Sequence, residues 1–558
     1  MNKTYLSILL LVFHVSILHA QIQTVGLFTH LKGSEDDGYV LFAPTNGSDT
    51  SYLIDKCGKL VHTWASKYTP GLDVYLLPDG CLLRSGHYPN PLFDLCNCGT
   101  GGIIERMDWD GNVLWHYIIS DTLQVQSHDI CYLPNGNILI DVWENVKGAT
   151  AVASGRNPTL LGGNLYTPKI IEIKPIGTDS AEIVWQWRLW DHLVQQFNAT
   201  KPNYGVVSDH PELVNLNFVN TAADPAMSPD WTHLNAVTYN PTLDQVMISS
   251  HNFDEVWIID HSTTTAQAAT HTGGKYNKGG DLLYRWGNPM TYNRGISSDT
   301  KLFQQHNCRW ITSGKYKDQI MIFNNGYGRP SGNATSVDII NPPIDTSGNY
   351  FLAPGATTTY GPTTLSWTYE NPAPTNFFSM YMGGAQPLPS GNILITNAMS
   401  GTFFEIDSTK NTVWKYIDPI DNGTPLTQGK PVAQNEVYRS VFYQSTYSGF
   451  TGHTLEPGSP IEAFPIAYAC TLNLNVNTPI VTPANYATEI FPNPANTSIT
   501  FKTAALTSAS LIDITGRTIF ASQYTNATWG EFYTASLPNG VYMLCINGSE
   551  YNRIVIQH

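Results

Sequence analysis

An aromatic-rich strand recurs six times along the 558-residue chain, and this repeat constrains the fold more than any other feature. A second element lies between the copies: a strand, a Gly-containing turn and an apolar strand, as at residues 74–83, 130–140 and 386–395. A third strand separates the two, as at residues 255–260. Four short strands per unit, repeated six times, predict a six-bladed β-propeller. The six aromatic copies contain Trp64, Trp115, Trp185, Trp286, Trp367 and Trp414.

The two ends of the repeat region predict how the ring closes. Residues 437–443 have the pattern of a last inner strand, and residues 51–54 and 59–64 have the pattern of its outer partners. One blade then joins both ends of the chain, which removes exposed sheet edges. In the insertion at residues 188–230, the segment 190–197 is predicted to form a short amphipathic helix.

Composition supports an all-β class and limits the partners. With 13% charged residues, 12% aromatic residues, 45 Gly and 35 Pro, the chain is rich in turns. A formal net charge of −15 argues against nucleic acid as a partner. It also means that a site for an anion needs its own local hydrogen-bond donors.

The N-terminus predicts export. Residues 1–20 have the pattern of a signal peptide, with Lys3 before an apolar stretch at residues 6–18. That stretch is too short to span a bilayer, so no stable membrane span is expected. Eight cysteines show no CxxC pair, which argues against a structural zinc site. In an exported protein they allow one or two disulfides, whose pairing the spacing leaves open.

The C-terminal part differs from the rest. Residues 476–488 fall in a linker rich in Pro, Thr and Asn, and residues 489–558 alternate strands with tight turns, which predicts a small β-sandwich. This segment resembles the sorting domain that Bacteroidetes-type bacteria use for type IX secretion. The resemblance implies the secretion machinery as a partner and a secreted or cell-surface protein. Residues 21–475 remain for the propeller, which is expected to be the catalytic domain.

Histidines mark the expected site, because the innermost strand of each blade lines the central channel of a propeller. His128, His233 and His306 open the inner strands of three consecutive blades, so they should meet at one end of the channel. Strand alternation places Asn235 on the same face as His233. A further pair, His251 and Asn252, ends the second strand of the middle blade, near the same mouth.

Two kinds of chemistry suit such a cluster. Imidazoles can bind a metal ion, or they can bind an anion while one neutral ring acts as a nucleophile. The only obvious carboxylate near the cluster is Asp129, and the sequence contains no HExxH motif, so the anion hypothesis is favoured. It contains no Gly-rich phosphate loop or GxSxG elbow either. We therefore expect neither a metal nor a cofactor.

Over most of residues 24–465 the chain resembles the bacterial arylsulfate sulfotransferases. The resemblance lies in residues 38–44 with 52–55, 128–129, 231–236, 280–287, 302–306 and 384–392. It implies a six-bladed propeller that moves a sulfuryl group from an aryl sulfate to a phenol without a nucleotide donor. Small-molecule phenols and aryl sulfates are then the expected partners.

The resemblance also implies roles for single residues. His306 matches the histidine that becomes transiently sulfated, which gives ping-pong kinetics. His128 and His233 match the histidines around the sulfate, and Asn235 matches an asparagine beside them. About eighteen residues after the second histidine the family has an arginine, whereas this chain has His251, followed by Asn252. We expect this exchange to make sulfate affinity fall more strongly as the pH rises.

Three alternatives compete with a transferase. In an arylsulfatase-like hydrolase, water would take the sulfuryl group, and adding a phenol would not raise turnover. A non-catalytic adhesin or glycan-binding propeller would also suit the sorting domain, but it has little need of a histidine cluster. A metal-dependent lyase or lactonase would contain bound metal and lose activity with a chelator.

Overall fold

The computed structural model describes residues 22–94, 99–220, 228–355, 357–371, 377–466, 470, 489–513, 517–547 and 550–558. The chain divides into two compact units, residues 1–474 and 475–558. The predicted signal peptide, the whole of the predicted linker, and Cys96 and Cys98 lie outside the described residues. Among the residues described, no helix is long and apolar enough to cross a membrane.

The first unit is the predicted six-bladed propeller, built from antiparallel sheets of four strands. Blade 1 contains Gly38–Pro44, Thr50–Asp55, Leu60–Ala65 and the inner strand Val437–Gln444. From the inner strand outward, blade 2 contains Pro70–Leu76, Leu82–His87, Gly102–Met107 and Val113–Ile118. Blade 3 contains Gln124–Tyr132, Ile138–Val146, Leu165–Ile176 and Ser180–Arg188.

The remaining three blades follow in the same order. Blade 4 contains Leu234–Asn240, Gln245–Ser250, Glu255–Asp260 and Tyr284–Trp286. Blade 5 contains His306–Trp310, Ile320–Asn324, Ser336–Ile340 and Trp367–Glu370. Blade 6 contains Gly384–Pro387, Ile393–Asn397, Thr402–Ile406 and Thr412–Ile417, with Gly26–His30 as a fifth, outermost strand.

Helices are short and lie in the connections. The α-helices are Gly148–Ala153 and Thr265–Ala268. The 3-10 helices described are Pro158–Leu160, Leu189–Asp191, Val207–Asp209, His251–Phe253, Pro289–Tyr292, Ser297–Asp299, Ala398–Ser400 and Ser448–Phe450. Two short strand pairs complete the unit: Leu193–Val194 with Val214–Asn215, and Ile420–Asp421 with Thr424–Pro425.

The aromatic repeat has a structural cause at the blade interfaces. Each copy lies in the fourth strand of a blade, which is the outermost strand in blades 1 to 5. There an indole N–H needs an acceptor once it is buried. In five blades that N–H donates to a backbone carbonyl of the next blade, close to its outer strand. The pairs are Trp64 with Asp108, Trp115 with Ser180, Trp187 with Gly280, Trp286 with Pro362, and Trp414 with Lys56. In blade 5, Trp367 lies under the ammonium group of Lys410 instead.

The ring closes in blade 1 as predicted. The inner strand Val437–Gln444 pairs antiparallel with Gly38–Pro44, which carries the rest of that blade. A disulfide joins Cys57 to Cys470, 413 residues apart in sequence. It ties the segment after the last blade to the closing blade, and a bridge of this kind typically contributes about 2–4 kcal/mol. The described residues also contain four free cysteines: Cys81, Cys131, Cys308 and Cys545.

The predicted helix over residues 190–197 was wrong. The segment starts as the 3-10 turn Leu189–Asp191 and then extends as Leu193–Val194, which pairs in parallel with Val214–Asn215. Both ring nitrogens of His192 lie within hydrogen-bond distance of residues outside the segment, and these contacts hold it extended. Tertiary contacts thus override a local helical pattern.

The second unit is all-β. Its strands are Glu489–Phe491, Ser498–Ile512, Thr518–Tyr533, Gly540–Ile546 and Glu550–Ile556, and they form one hydrogen-bonded sheet. The two long strands pair with each other, and the sheet bends into a half-barrel around a core that includes Phe501, Leu511 and Leu544. The predicted small β domain is therefore present as a curved sheet.

Candidate active site

A cavity of about 710 Å³ opens at one end of the central channel. Residues from all six blades and their loops line it. They are Thr45, Asn46, Gly47, Thr69, Pro70, Leu72, His87, Gly99, Thr100, His128, His233, His251, Gln304, His306, Tyr327, Met380, Tyr381, Met382 and Glu436. Four of the six residues predicted for the site therefore face one space: His128, His233, His251 and His306.

β-Bulges at this end of the inner strands turn the histidines into the cavity. The ladder shifts register around residues 127–129 of blade 3, and again between His306 and Cys308 of blade 5. These bulges put non-glycine residues in left-handed backbone, with φ of 35° at His128 and 44° at Asn307, and His233, just before the inner strand of blade 4, has a φ of 48°. Such backbone is costly and concentrates near functional sites. The His128 ring also needs a glycine opposite, because a Cβ at Gly99 would lie 2.2 Å from it.

The four rings form a chain of close neighbours. Ring centroids are 4.5 Å apart for His128 and His233, 4.7 Å for His233 and His251, and 5.2 Å for His251 and His306. His128, His251 and His306 are at most 8% exposed. Four imidazoles this close cannot all be charged without strong mutual repulsion.

The hydrogen bonds around His306 fix its tautomer. The Asn325 amide nitrogen donates to the carbonyl oxygens of Ser379 and Met382, each at 2.8 Å. The Asn325 amide oxygen must therefore be the atom 2.9 Å from His306 Nδ1. An amide oxygen only accepts, so Nδ1 carries the proton and Nε2 of the neutral ring keeps its lone pair. Nε2 is the atom left for chemistry.

A similar arrangement holds the two histidines of blade 4. The Asn252 amide donates to the Asp230 carbonyl at 2.9 Å, so its oxygen accepts from His251 Nδ1 at 2.7 Å. His233 Nδ1 makes a short contact with the carboxylate of Asp230, which is buried. An imidazole held by a buried carboxylate is well suited to carry a proton, because the carboxylate stabilises the imidazolium.

Burial keeps His128, His251 and His306 neutral. Burial and the neighbouring His233 lower the pKa of His306 to about 3, and the Asn325 hydrogen bond only partly opposes this. The pKa values of His128 and His251 lie well below the usual value, first because of burial and then because of the other histidines. At neutral pH the His306 ring is therefore neutral, with a proton on Nδ1 and a lone pair on Nε2.

Asn235 and Asn252 do not line the cavity. Strand alternation failed for Asn235, since it is the bulged residue between Leu234 and Ala236. Its amide instead donates to the Gln305 carbonyl at 2.8 Å, directly before His306 in the chain. Asn252 lies behind His251 and orients that ring. Asn252 therefore contacts a cluster histidine directly, whereas Asn235 is connected to His306 only through the backbone of Gln305.

The carboxylate of the cluster was also misassigned. Asp129, singled out from sequence, is fully buried below the histidines and forms an ion pair with Arg439 at 3.1 Å. The carboxylate that contacts a cluster histidine is Asp230. Tyr381 lines the cavity, whereas the nearby aromatic residues Tyr88 and Phe93 are not among the lining residues.

Sequence reasoning missed two groups at the site, His87 and Glu436. His87 ends the second strand of blade 2, the position that His251 occupies in blade 4, so the repeat could have revealed it. Tyr381 donates to Glu436 at 2.9 Å, which places a phenol and a carboxylate on the wall across the ring. These two residues come from loops without a recognisable motif.

Comparison with known proteins identifies the family. A model of the family described as Arylsulfotransferase (ASST) matches residues 40–439, which is more than half of the chain. The chain belongs to the arylsulfotransferase family. It is therefore a sulfotransferase that acts on aryl compounds, and the histidine cavity lies within the matched region.

The second unit matches a different family, the secretion system C-terminal sorting domain, over residues 489–557. This is the sorting domain of type IX secretion, so the arylsulfotransferase is exported to the cell surface or the medium. A search of the curated proteins found no match.

Solved structures similar to this arylsulfotransferase are distant. A protein of unknown function from Bacteroides caccae is 10% identical, with a TM-score of 0.38, and the match covers 73% of this chain and 100% of that one. A protein from Lactobacillus plantarum is 10% identical, with a TM-score of 0.36, covering 73% and 99%. Such scores carry no argument about function.

The lining of the cavity determines how this arylsulfotransferase can bind an anionic substrate. Among the lining residues described, none is lysine or arginine. An aryl sulfate is an anion, so its oxygens depend on imidazole N–H groups and backbone donors. The nearest fixed cation in the channel is Arg439, which lies beneath the cluster and is neutralised by Asp129.

Proposed function

We propose that the enzyme transfers a sulfuryl group from an aryl sulfate to a phenol through a covalent intermediate on His306 Nε2, without a nucleotide donor. The observation that carries this proposal is the fixed tautomer of His306: Asn325 holds Nδ1–H, and Nε2 remains unprotonated in a histidine-lined cavity. A neutral imidazole is a competent nucleophile, whereas an imidazolium is not.

The first half-reaction forms the intermediate. The Nε2 lone pair attacks sulfur while the bond between sulfur and the aryl oxygen breaks, and the electron pair leaves on that oxygen. The His306 ring then carries the sulfuryl group and a positive charge, which the hydrogen bond from Nδ1 to Asn325 stabilises. A protonated His233, paired with Asp230, is the acid placed to donate a proton to the departing oxygen.

The second half-reaction runs in reverse with another phenol. His233 takes back a proton as the acceptor oxygen attacks sulfur, and the Nε2–sulfur bond breaks. Tyr381 and Glu436 supply a donor and an acceptor on the opposite wall, where the aromatic part of either substrate would lie. If donor and acceptor use one site, the first phenol must leave before the second binds, and the kinetics are then ping-pong.

An acceptor experiment tests this function. Release of nitrophenolate from 4-nitrophenyl sulfate should rise when a second phenol is added, and that phenol should appear as its sulfate ester. The rate should not respond to an added nucleotide sulfate donor. Parallel initial-rate lines at several acceptor concentrations are expected for the ping-pong scheme. Release at an unchanged rate with free sulfate as product would instead identify a hydrolase.

His251 should make donor binding pH-dependent. In the free enzyme its pKa lies well below the usual value, so it must take up a proton to act as a cation towards a bound sulfate. The affinity for an unreactive mimic such as 4-nitrobenzenesulfonate should then fall as the pH rises from 6 to 9. One linked proton sets a slope of up to about tenfold per pH unit.

The matched variants for this prediction are His251→Arg and His251→Gln. Arginine stays charged throughout this pH range, so His251→Arg should bind the sulfonate with little pH dependence. Glutamine provides no charge and should bind weakly at every pH. Equal slopes for the wild type and His251→Arg would show that another group takes up the proton.

A further inference from the structure

A second cluster of donor side chains lies outside the cavity, at the connection between blades 3 and 4. His192, His271 and Asp281 each direct one donor atom at a common point, and these atoms all lie within 4.8 Å of one another. His192 follows the outer strand of blade 3, whereas the other two lie in the loop before the outer strand of blade 4. Sulfuryl transfer uses none of them.

The hydrogen bonds of His192 require a positive charge at this point. Its Nε2 lies 2.8 Å from the Ala268 carbonyl oxygen, which only accepts, so Nε2 carries a proton. Its Nδ1 lies 2.8 Å from Asp281 Oδ1. If the His192 ring were neutral, the lone pair of Nδ1 would face the negatively charged carboxylate of Asp281. Either a second proton or a metal ion must therefore lie between the two atoms.

His271 places a second imidazole nitrogen beside the same carboxylate oxygen. Its Nδ1 lies 2.7 Å from Asp281 Oδ1, and its side chain is 59% exposed, whereas those of His192 and Asp281 are 0% and 8% exposed. We propose that His192 Nδ1, His271 Nδ1 and the Asp281 carboxylate bind one zinc ion, with water as the fourth ligand on the exposed side. Two imidazoles and a carboxylate favour zinc over calcium or magnesium, which prefer oxygen ligands.

The buried part of this site is preorganised. The His192 ring stacks on Trp187 with an interplanar angle of 3°, and a Cβ at Gly280 would lie 2.5 Å from Nε2, so that position needs glycine. Backbone hydrogen bonds, from Gly279 to Gly273 and from Gly280 to Thr270, hold the loop. Zinc needs ligand distances of about 2.0–2.2 Å, which in a tetrahedron puts the ligand atoms about 3.3–3.6 Å apart, so each nitrogen must move about half an ångström or more away from Asp281 Oδ1. A shift of the exposed His271 and a small turn of the Asp281 carboxylate would make this adjustment, and the ion would then cross-link blade 3 to blade 4.

Zinc titration of the full-length protein after chelator treatment tests the proposal. Calorimetry should detect one more equivalent of zinc in the wild type than in His271→Ala, or an affinity at least about tenfold higher. The matched control is His210→Ala, which removes another partly exposed histidine paired with a carboxylate, Glu212, and should bind like the wild type.

The histidine cavity can also bind zinc, so the comparison between variants decides the question. Zinc binding with the same stoichiometry and affinity in the wild type and His271→Ala would overturn the proposal and assign the metal elsewhere. Cobalt provides a second measurement: the visible absorption of tetrahedral cobalt should be lost in both His271→Ala and Asp281→Asn. Retention of that absorption in both variants would also overturn the proposal.

Discussion

Replacing His306 by alanine is expected to abolish sulfuryl transfer. The variant lacks the only atom assigned to attack sulfur, Nε2, so nitrophenolate release should fall by roughly 10³-fold or more. Intact-mass analysis after mixing with 4-nitrophenyl sulfate should show a gain of about 80 Da in the wild type and none in the variant. His116→Ala, in the outer strand of blade 2, is the control and should form the adduct like the wild type.

A second variant, Asn325→Asp, tests whether His306 is the nucleophile or only shapes the cavity. Asn325→Asp keeps an acceptor beside His306 Nδ1 but makes it charged, which should raise the pKa of His306 from about 3. The acid limb of kcat/KM should then move to higher pH, because the imidazolium cannot attack. A His306→Ala protein that still gains the sulfuryl mass would place the nucleophile on another residue and refute the mechanism.

The fold was predictable because its repeat reflects a repeated physical need. Each buried indole requires an acceptor on the next blade, so tryptophan recurs at the same place in the outer strands, as Trp64, Trp115 and Trp414 illustrate. The closure of the ring in blade 1 was predictable for the same reason, because the last inner strand lacks outer partners at its own end of the chain and the first strands of the repeat region supply them. Local patterns were weaker: residues 190–197 have a helical pattern, but His192 binds across to Ala268 and Asp281 and stays extended.

The site was predictable only as far as strand position determines it. Three histidines at the start of consecutive inner strands had to approach one mouth. Alternation then misplaced Asn235, because a bulge breaks the two-residue period at that point and no glycine marks it. Asp230 and Asn325, which hold His233 and His306, lie outside the inner strands, and their contacts arise only from the folded ring.

Replacing Arg439 by methionine is expected to lower the stability of the folded propeller strongly. Arg439 is 5% exposed and donates to both carboxylate oxygens of Asp129, to the Asn235 carbonyl and to Tyr438. Asp73 lies 3.7 Å away, and its carboxylate oxygens have no hydrogen-bond partner among the described residues. Removing the guanidinium leaves two buried carboxylates without a cation, which should lower the free energy of unfolding by about 3–5 kcal/mol.

The pH dependence of that loss distinguishes lost charge from lost packing. Burial and the neighbouring Asp129 already raise the pKa of Asp73 well above its usual value, and removing Arg439 should raise the pKa of Asp73 further. A folded-state pKa above the unfolded value means that stability falls as the pH rises towards the folded-state pKa. The stability deficit of Arg439→Met, measured by denaturant unfolding, should thus be largest at pH 8 and shrink towards pH 5.

Adding Asp129→Asn to Arg439→Met should recover part of the lost stability, because one unpaired charge disappears. A deficit that is independent of pH and unchanged in the double variant would mean that Arg439 contributes packing alone.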